Sequence, residues 1–258
     1  MEPLLTIRDL TVTVNQLEGK KTLLNCVSLE ILPLSIVGLV GGSGSGKTTL
    51  GLSVLGLLPP ALTIQKGNIY FKGENLRGAS QEKMRQLRGK EIGIVFQEPL
   101  EALNPVLTIG SQIEEVLTFH TNLNSKQRRE RILELLRVVG LLEPQRVVLN
   151  YPHRLSGGMR QRVMIAQAIA ANPQLIIADE PTSNLDVTLQ AKIMELFRRL
   201  KDELKLSILL ISHDLGMVSH LADNIVVMNE GRVVEQALTQ EILTNPQHEY
   251  TQRLLALI

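Results

Sequence analysis

The chain has 258 residues, 44% of them hydrophobic and 21% charged, which is enough apolar material for a real core and too much for a chain disordered throughout. Its 27 basic and 26 acidic side chains leave a net charge of +1, so composition carries no basic footprint and nucleic acid is not expected as a partner. One cysteine, Cys26, excludes an internal disulfide and suits a reducing compartment.

Met1-Glu2-Pro3-Leu4-Leu5 has no basic region leading into an apolar run, so no secretory leader is expected. Leu5, Ile7, Leu10, Val12 and Val14 read as a strand, Gly19-Lys20-Lys21 as a turn, and Leu24 to Leu32 as a second strand. Ile36 to Val40 is a short continuous apolar run, as a strand buried on both faces requires. A glycine loop follows, then a helix to about Leu58. Thr48 to Gln65 is uncharged, but Pro59-Pro60 interrupts it, so a buried helix is expected there and not a membrane span.

Gly67 to Gly73 and Glu91 to Phe96 read as strands. From about Pro99 to Ser156 the pattern turns helical, with helices expected over Ile109–His120, Ser125–Val139 and Glu143–Asn150 and a start signal at Asn124-Ser125. Alternation then resumes: helix Gly158–Ala171, strand Leu175–Ala178, helix Val187–Leu204 and strand Ser207–Ile211. Strands near Ile225–Met228 and Arg232–Glu235 and a short helix after Asn245-Pro246 complete the chain. The predicted architecture is an α/β core with an antiparallel N-terminal portion and an inserted helical subdomain.

Gly41-Gly42-Ser43-Gly44-Ser45-Gly46-Lys47-Thr48 matches the P-loop pattern, between an expected strand and an expected helix. Its glycines let backbone N–H groups converge on one anion, and the helix start adds its positive dipole end. Lys47 would reach the β- and γ-phosphates of ATP, Thr48 would ligate Mg²⁺, and Thr49 would sit near the α-phosphate. Leu175 to Ala178 runs into Asp179-Glu180. In P-loop proteins such a strand brings its first carboxylate to the Mg²⁺, directly or through a water. The second, Glu180, could then take a proton from the attacking water.

Leu155-Ser156-Gly157-Gly158-Met159-Arg160-Gln161-Arg162 offers a second anion site at a helix start. With the two preceding motifs it resembles the signature of the ATP-binding-cassette (ABC) family, and the resemblance covers essentially the whole chain. Gln97 matches the Q-loop, Ser183-Asn184-Leu185-Asp186 the D-loop, and His213 the switch histidine. The resemblance implies a P-loop NTPase core of the ABC type over about 1–98 and 157–240, a helical subdomain over about 99–156, and a short C-terminal helix over 240–258. It implies two cassettes packed head to tail, each ATP held between one P-loop and the other signature. Ser156, Gly157, Gly158 and Gln161 would then act on the partner's nucleotide, with Asp186 beside them. Gln97 would sense Mg²⁺ and link the site to a membrane partner, and His213 would steady the γ-phosphate. The implied partners are a second cassette (a homologue or a copy of this chain), two permease subunits and, indirectly, a substrate-binding protein. The implied location is the cytoplasmic face of the inner membrane.

Phe96-Gln97-Glu98-Pro99 with Leu103-Asn104-Pro105, Tyr151-Pro152-His153, and Asn245-Pro246-Gln247-His248-Glu249-Tyr250-Thr251 resemble the oligopeptide, dipeptide and nickel importers. Gly42 stands where peptide types carry glutamate. Many peptide types also continue into a longer tail, often a cysteine-rich one, where this sequence ends at Ile258. Nickel, or a nickel–chelator complex, is therefore the first expected cargo, with di- or oligopeptides the alternative. A cassette ATPase of DNA repair or translation is a remote third reading, because no long coiled coil, zinc module or second cassette is present. Cassettes also stack adenine on an aromatic residue upstream of the P-loop. Here the first aromatic is Tyr70, leaving Val14 or Leu17 to supply apolar contact.

Overall fold

The computed structural model describes residues 2–16, 19–183 and 185–256. In chain order it contains β1 (Leu5–Gln16), β2 (Gly19–Ile31), β3 (Ile36–Val40), α1 (Lys47–Val54), β4 (Leu62–Phe71), β5 (Glu74–Asn75), α2 (Gln81–Leu87) and β6 (Ile92–Val95). Four helices follow: α3 (Pro99–Ala102), α4 (Ile109–His120), α5 (Ser125–Val138) and α6 (Pro144–Val147). Then come α7 (Gly157–Ala168), β7 (Leu175–Asp179), α8 (Val187–Leu204), β8 (Ser207–Ser212), α9 (Leu215–Ser219), β9 (Asn224–Asn229), β10 (Arg232–Leu238), α10 (Thr239–Thr244) and α11 (Glu249–Leu255). The chain divides into two compact units, Met1–Met84 with Ser207–Ile258, and Arg85–Leu206.

In the first unit β1 lies between β2 and β4, both antiparallel to it. The apolar partners Leu5↔Ile31, Ile7↔Leu29, Leu10↔Val27 and Val12↔Leu24 are buried in register. The register slips three times, once on β1 between Ile7 and Leu10 and twice on β2 between Val27 and Thr22, and Asp9 and Cys26, at the first two slips, take the left-handed conformation at φ 49° and 52°. These are paired β-bulges. The Asp9 N–H donates to Ser28 Oγ, and the Cys26 N–H to Thr11 Oγ1. The second bulge offsets the first, so that Val12 faces Leu24 in the register that Ile7 and Leu29 keep, before the third slip at Thr13.

The same unit holds β3 between β8 and β9, parallel to both, with β10 antiparallel on the far side of β9. All five residues of β3 are buried. A Cβ at Gly38 would lie 2.2 Å from Val218 Cγ1, so only glycine lets α9 approach the strand this closely.

In the second unit β6 and β7 run parallel, in register from Ile92↔Leu175 to Val95↔Ala178. The helices between and after them are capped by their own sequence. Thr108 accepts from the Ser111 N–H, and Asn124 with Gln127 forms a reciprocal capping box. At the other end of α5, the carbonyls of Val138 and Val139 accept from the guanidinium groups of Arg199 and Arg162. Burial, followed by the neighbouring Arg199, lowers the Arg162 pKa. Among the described residues no helix is long and apolar enough to cross a membrane.

The expected turn at Gly19-Lys20-Lys21 is strand: Gly19 and Lys20 pair with Gln16 and Asn15. The expected helix to Leu58 stops at Val54, where Gly56 turns left-handed at φ 59°.

Candidate functional site

In the first unit, β3 delivers the P-loop at its carboxyl end. Two neighbours clasp the loop from below. A Cβ on Gly41 would meet the Met228 carbonyl at 2.1 Å, and one on Gly46 would meet Leu24 Cδ2 at 2.6 Å. The Gly231 N–H donates to the Ser45 carbonyl at 3.1 Å, and the Ser45 N–H to that of Gly42 at 3.2 Å. At Gly44 the loop opens, with φ 76° and nothing within 4 Å of a Cβ position. The Ser45 hydroxyl is buried without a hydrogen-bond partner among the described residues. Ser43 and Thr48 are exposed and Thr49 is half-buried.

Lys47 is only 6% exposed. Burying an ammonium is costly unless oxygen ligands replace water. Its Nζ donates to the carbonyls of Gly41 at 2.8 Å and Gly42 at 3.0 Å. Helix α1 begins at Lys47 with Gly46 as N-cap and no side-chain cap hydrogen bond, and a helix start of this kind suits an anion. Ser212 of β8 pairs with Val40 of β3. His213 and Gly41 therefore leave neighbouring parallel strands at the same end, and His213 is exposed.

In the second unit, Gln97 and Glu180 each stand two residues beyond a paired position, Val95↔Ala178. Asp179 ends β7 and is 8% exposed. Glu180 is half-buried and left-handed at φ 47°, a conformation that costs a non-glycine residue about 1–3 kcal/mol and is concentrated at functional sites. Ser183 Oγ donates to the Glu180 carbonyl at 3.0 Å and reaches the Gln97 carbonyl at 3.5 Å, tying the two segments together.

Ser156 is the N-cap of α7 and accepts from the Met159 N–H; Asp186 is the N-cap of α8 and accepts from the Leu189 N–H. Gly157 is exposed. Gly158 is buried, and a Cβ there would lie 2.4 Å from Leu189 Cδ2, so the signature helix packs on α8 at this point. Gln161 is 2% exposed, and its Nε2 has no hydrogen-bond partner among the described residues. Leu17 and Asn184 lie outside the described residues.

Two contacts carry no signal in the motifs. One is the Ser183 bridge. The other is Tyr250, whose hydroxyl accepts from the Gly42 N–H at 2.8 Å. Only the resemblance of the Asn245–Thr251 segment to a family pattern hinted at the second.

A P-loop at a parallel strand end, a Ser-Gly-Gly helix start and a strand closing on Asp-Glu together define the nucleotide-binding cassette class. The chain belongs to the ABC transporter family, whose sequence profile matches residues 24–183. The peptidoglycan transport ATP-binding protein YejF of Agrobacterium fabrum is 46% identical over 256 residues, 99% of this chain and 47% of its own length. A putative peptide import ATP-binding protein of Brucella abortus, BAB2_1052, is 48% identical over 99% of this chain and 77% of its own. The oligopeptide transport ATP-binding protein OppD of Bacillus subtilis is 42% identical over 98% of this chain and 71% of its own. This chain thus spans about half the length of the Agrobacterium relative and roughly three quarters of the other two. Among solved structures, the ATP-binding cassette MJ0796, determined as a dimer in a post-hydrolysis state bound to ADP and Pi, is 30% identical with a TM-score of 0.82, over 91% of this chain and 98% of that one.

Proposed function

We propose that this chain is the ATP-hydrolysing subunit of a binding-protein-dependent importer of peptides. The buried Lys47, held at the mouth of the P-loop by two carbonyls, is the observation that carries the nucleotide reading. Peptide replaces nickel as the first cargo, because relatives 42–48% identical are named for oligopeptide, peptide or peptidoglycan transport. Nickel stands second, on Gly42 alone.

ATP is the substrate, its phosphates received by the backbone of residues 41–49, with Lys47 reaching the β- and γ-phosphates from its place on the Gly41 and Gly42 carbonyls. The hydroxyl of Thr48, the amide oxygen of Gln97 and the carboxylate of Asp179, directly or through a water, are the oxygen donors that the family resemblance assigns to the ion, and oxygen donors suit Mg²⁺. Bound there, the ion would neutralise phosphate charge. Glu180 takes the proton of the attacking water. His213 holds the γ-phosphate. Ser156, Gly157 and Gly158 donate to the nucleotide of a second cassette, a homologue or a copy of this chain, with Asp186 at the same junction. These donors take the part an arginine finger plays elsewhere. Two permeases and a substrate-binding protein complete the assembly, with this subunit peripheral on the cytoplasmic face.

Co-purified with its permeases and reconstituted in liposomes with the binding protein, the assembly is expected to accumulate labelled peptide only with Mg-ATP. Nickel uptake without peptide uptake would overturn the cargo. Absence of ATP hydrolysis in the assembly would overturn the reading as a whole.

A further inference from the structure

The Asn245–Thr251 segment is a sequence motif that the cassette chemistry leaves without a task. The fold carries it back to the P-loop. Glu235 on β10 accepts from the N–H groups of Gln247 at 2.7 Å and His248 at 3.0 Å, one on each carboxylate oxygen. His248 Nδ1 then accepts from the Tyr250 N–H at 3.1 Å and caps α11. Gln252 Nε2 donates to the Pro246 carbonyl at 3.0 Å, closing the turn. This chain of bonds sets the Tyr250 hydroxyl 2.8 Å from the Gly42 N–H.

The Gly42 N–H and the Gly41 C=O belong to one peptide plane. In a trans peptide the two groups point in opposite directions. That same carbonyl accepts from Lys47 Nζ at 2.8 Å. The hydroxyl that fixes the N–H therefore also fixes the carbonyl that holds the ammonium. Glycine on both sides of the plane gives it unusual rotational freedom otherwise. A Cβ at Gly42 would lie 3.0 Å from the hydroxyl, so Tyr250 also limits which side chain fits there.

We propose that Tyr250 is a positioning residue of the nucleotide site. The segment from Glu235 to Tyr250 acts as a strap that sets the Gly41–Gly42 peptide and, through it, Lys47. The proposal rests on reading Lys47 as the phosphate-binding lysine. Its consequence is a P-loop organised before ATP arrives, which raises affinity by reducing the ordering cost of binding.

The test is the Mg-ATP dissociation constant of the full chain, read by displacement of a fluorescent ATP analogue. The proteins compared are the parent, Tyr250→Phe, Glu235→Gln and the double variant, with nucleotide-free melting curves to confirm folding. Tyr250→Phe is expected to weaken binding about two- to tenfold, or about 0.4–1.4 kcal/mol, the range of one neutral hydrogen bond. Glu235→Gln is expected to weaken it by less. The double variant is expected to bind no more weakly than Tyr250→Phe, because both changes act through one hydroxyl. Independent structural damage would instead add the two losses. Additive losses, or a Tyr250→Phe protein that binds like the parent, overturn the strap. A parent that does not bind Mg-ATP removes the nucleotide reading and the strap with it.

Discussion

The Lys47 ammonium lies 2.8 Å from the Gly41 carbonyl oxygen, inside the loop that receives the phosphates in the proposed site. The cation is thus placed before nucleotide arrives, with protein oxygens standing in for water. Lys47→Ala removes a charge-assisted contact, worth about 1.5–3 kcal/mol. Mg-ATP affinity is expected to fall roughly ten- to hundredfold, since 1.4 kcal/mol is a factor of ten. Titration of the full chain with a fluorescent ATP analogue measures this. Unchanged affinity would remove Lys47 from the site.

Much of this arrangement is legible in the residues alone. The bounds of α4 and α8 follow from apolar spacing with Thr108 and Asp186 as caps. The two-residue alternation also shifts phase between Ile7 and Leu10, where the Asp9 bulge stands. What the sequence hides is non-local. Tyr250 reaches Gly42 only because Glu235 folds the intervening turn against β10. The short α2 and β5 have too few residues to show a period. Gly56 reads as part of an apolar helix until its left-handed φ is known.

Val14 is half-buried on β1, paired with Lys21 and Leu62, and is the one of the two candidates for apolar contact with adenine, Val14 and Leu17, that lies among the described residues. With no aromatic residue upstream of the P-loop, phosphates and Mg²⁺ are expected to supply most of the binding energy. GTP is expected to compete with ATP more effectively than in a cassette that has the aromatic. Val14→Tyr is expected to tighten ATP binding by at most one to two powers of ten, from stacking worth about 1–3 kcal/mol. Competition titrations on the isolated chain and on the assembled complex test this. Strong ATP preference in the isolated chain, unaffected by Val14→Tyr, would contradict it.

Burial alone would raise the Glu235 pKa, but the Gln247 N–H, the nearby Thr251 hydroxyl, the His248 N–H and the His248 ring outweigh it, so the net shift is downward. A carboxylate with a lowered folded-state pKa stabilises the fold fully above its ordinary value of about 4.3. That contribution is lost as pH falls through the lower folded-state value. Glu235→Gln is therefore expected to flatten the acid limb of the stability curve and to leave its slope near neutrality unchanged. Urea unfolding across an acid pH series reads this out. An acid limb identical to that of the parent would show that the carboxylate does not hold the turn.

The central claim is that Glu180, directly after Asp179 and held in a left-handed turn, is the base that activates water against ATP. Glu180→Gln keeps the shape of the side chain and removes its capacity to take a proton. The direct measurement is single-turnover ATP hydrolysis by the assembled transporter carrying Glu180→Gln, with any competent site on the partner cassette also blocked, alongside ATP binding by the same protein. The account predicts ATP affinity near that of the parent, a trapped ATP-bound dimer, and a rate reduced about 10²- to 10⁴-fold, the usual contribution of a general base. Hydrolysis near the parental rate in that doubly blocked assembly would contradict it.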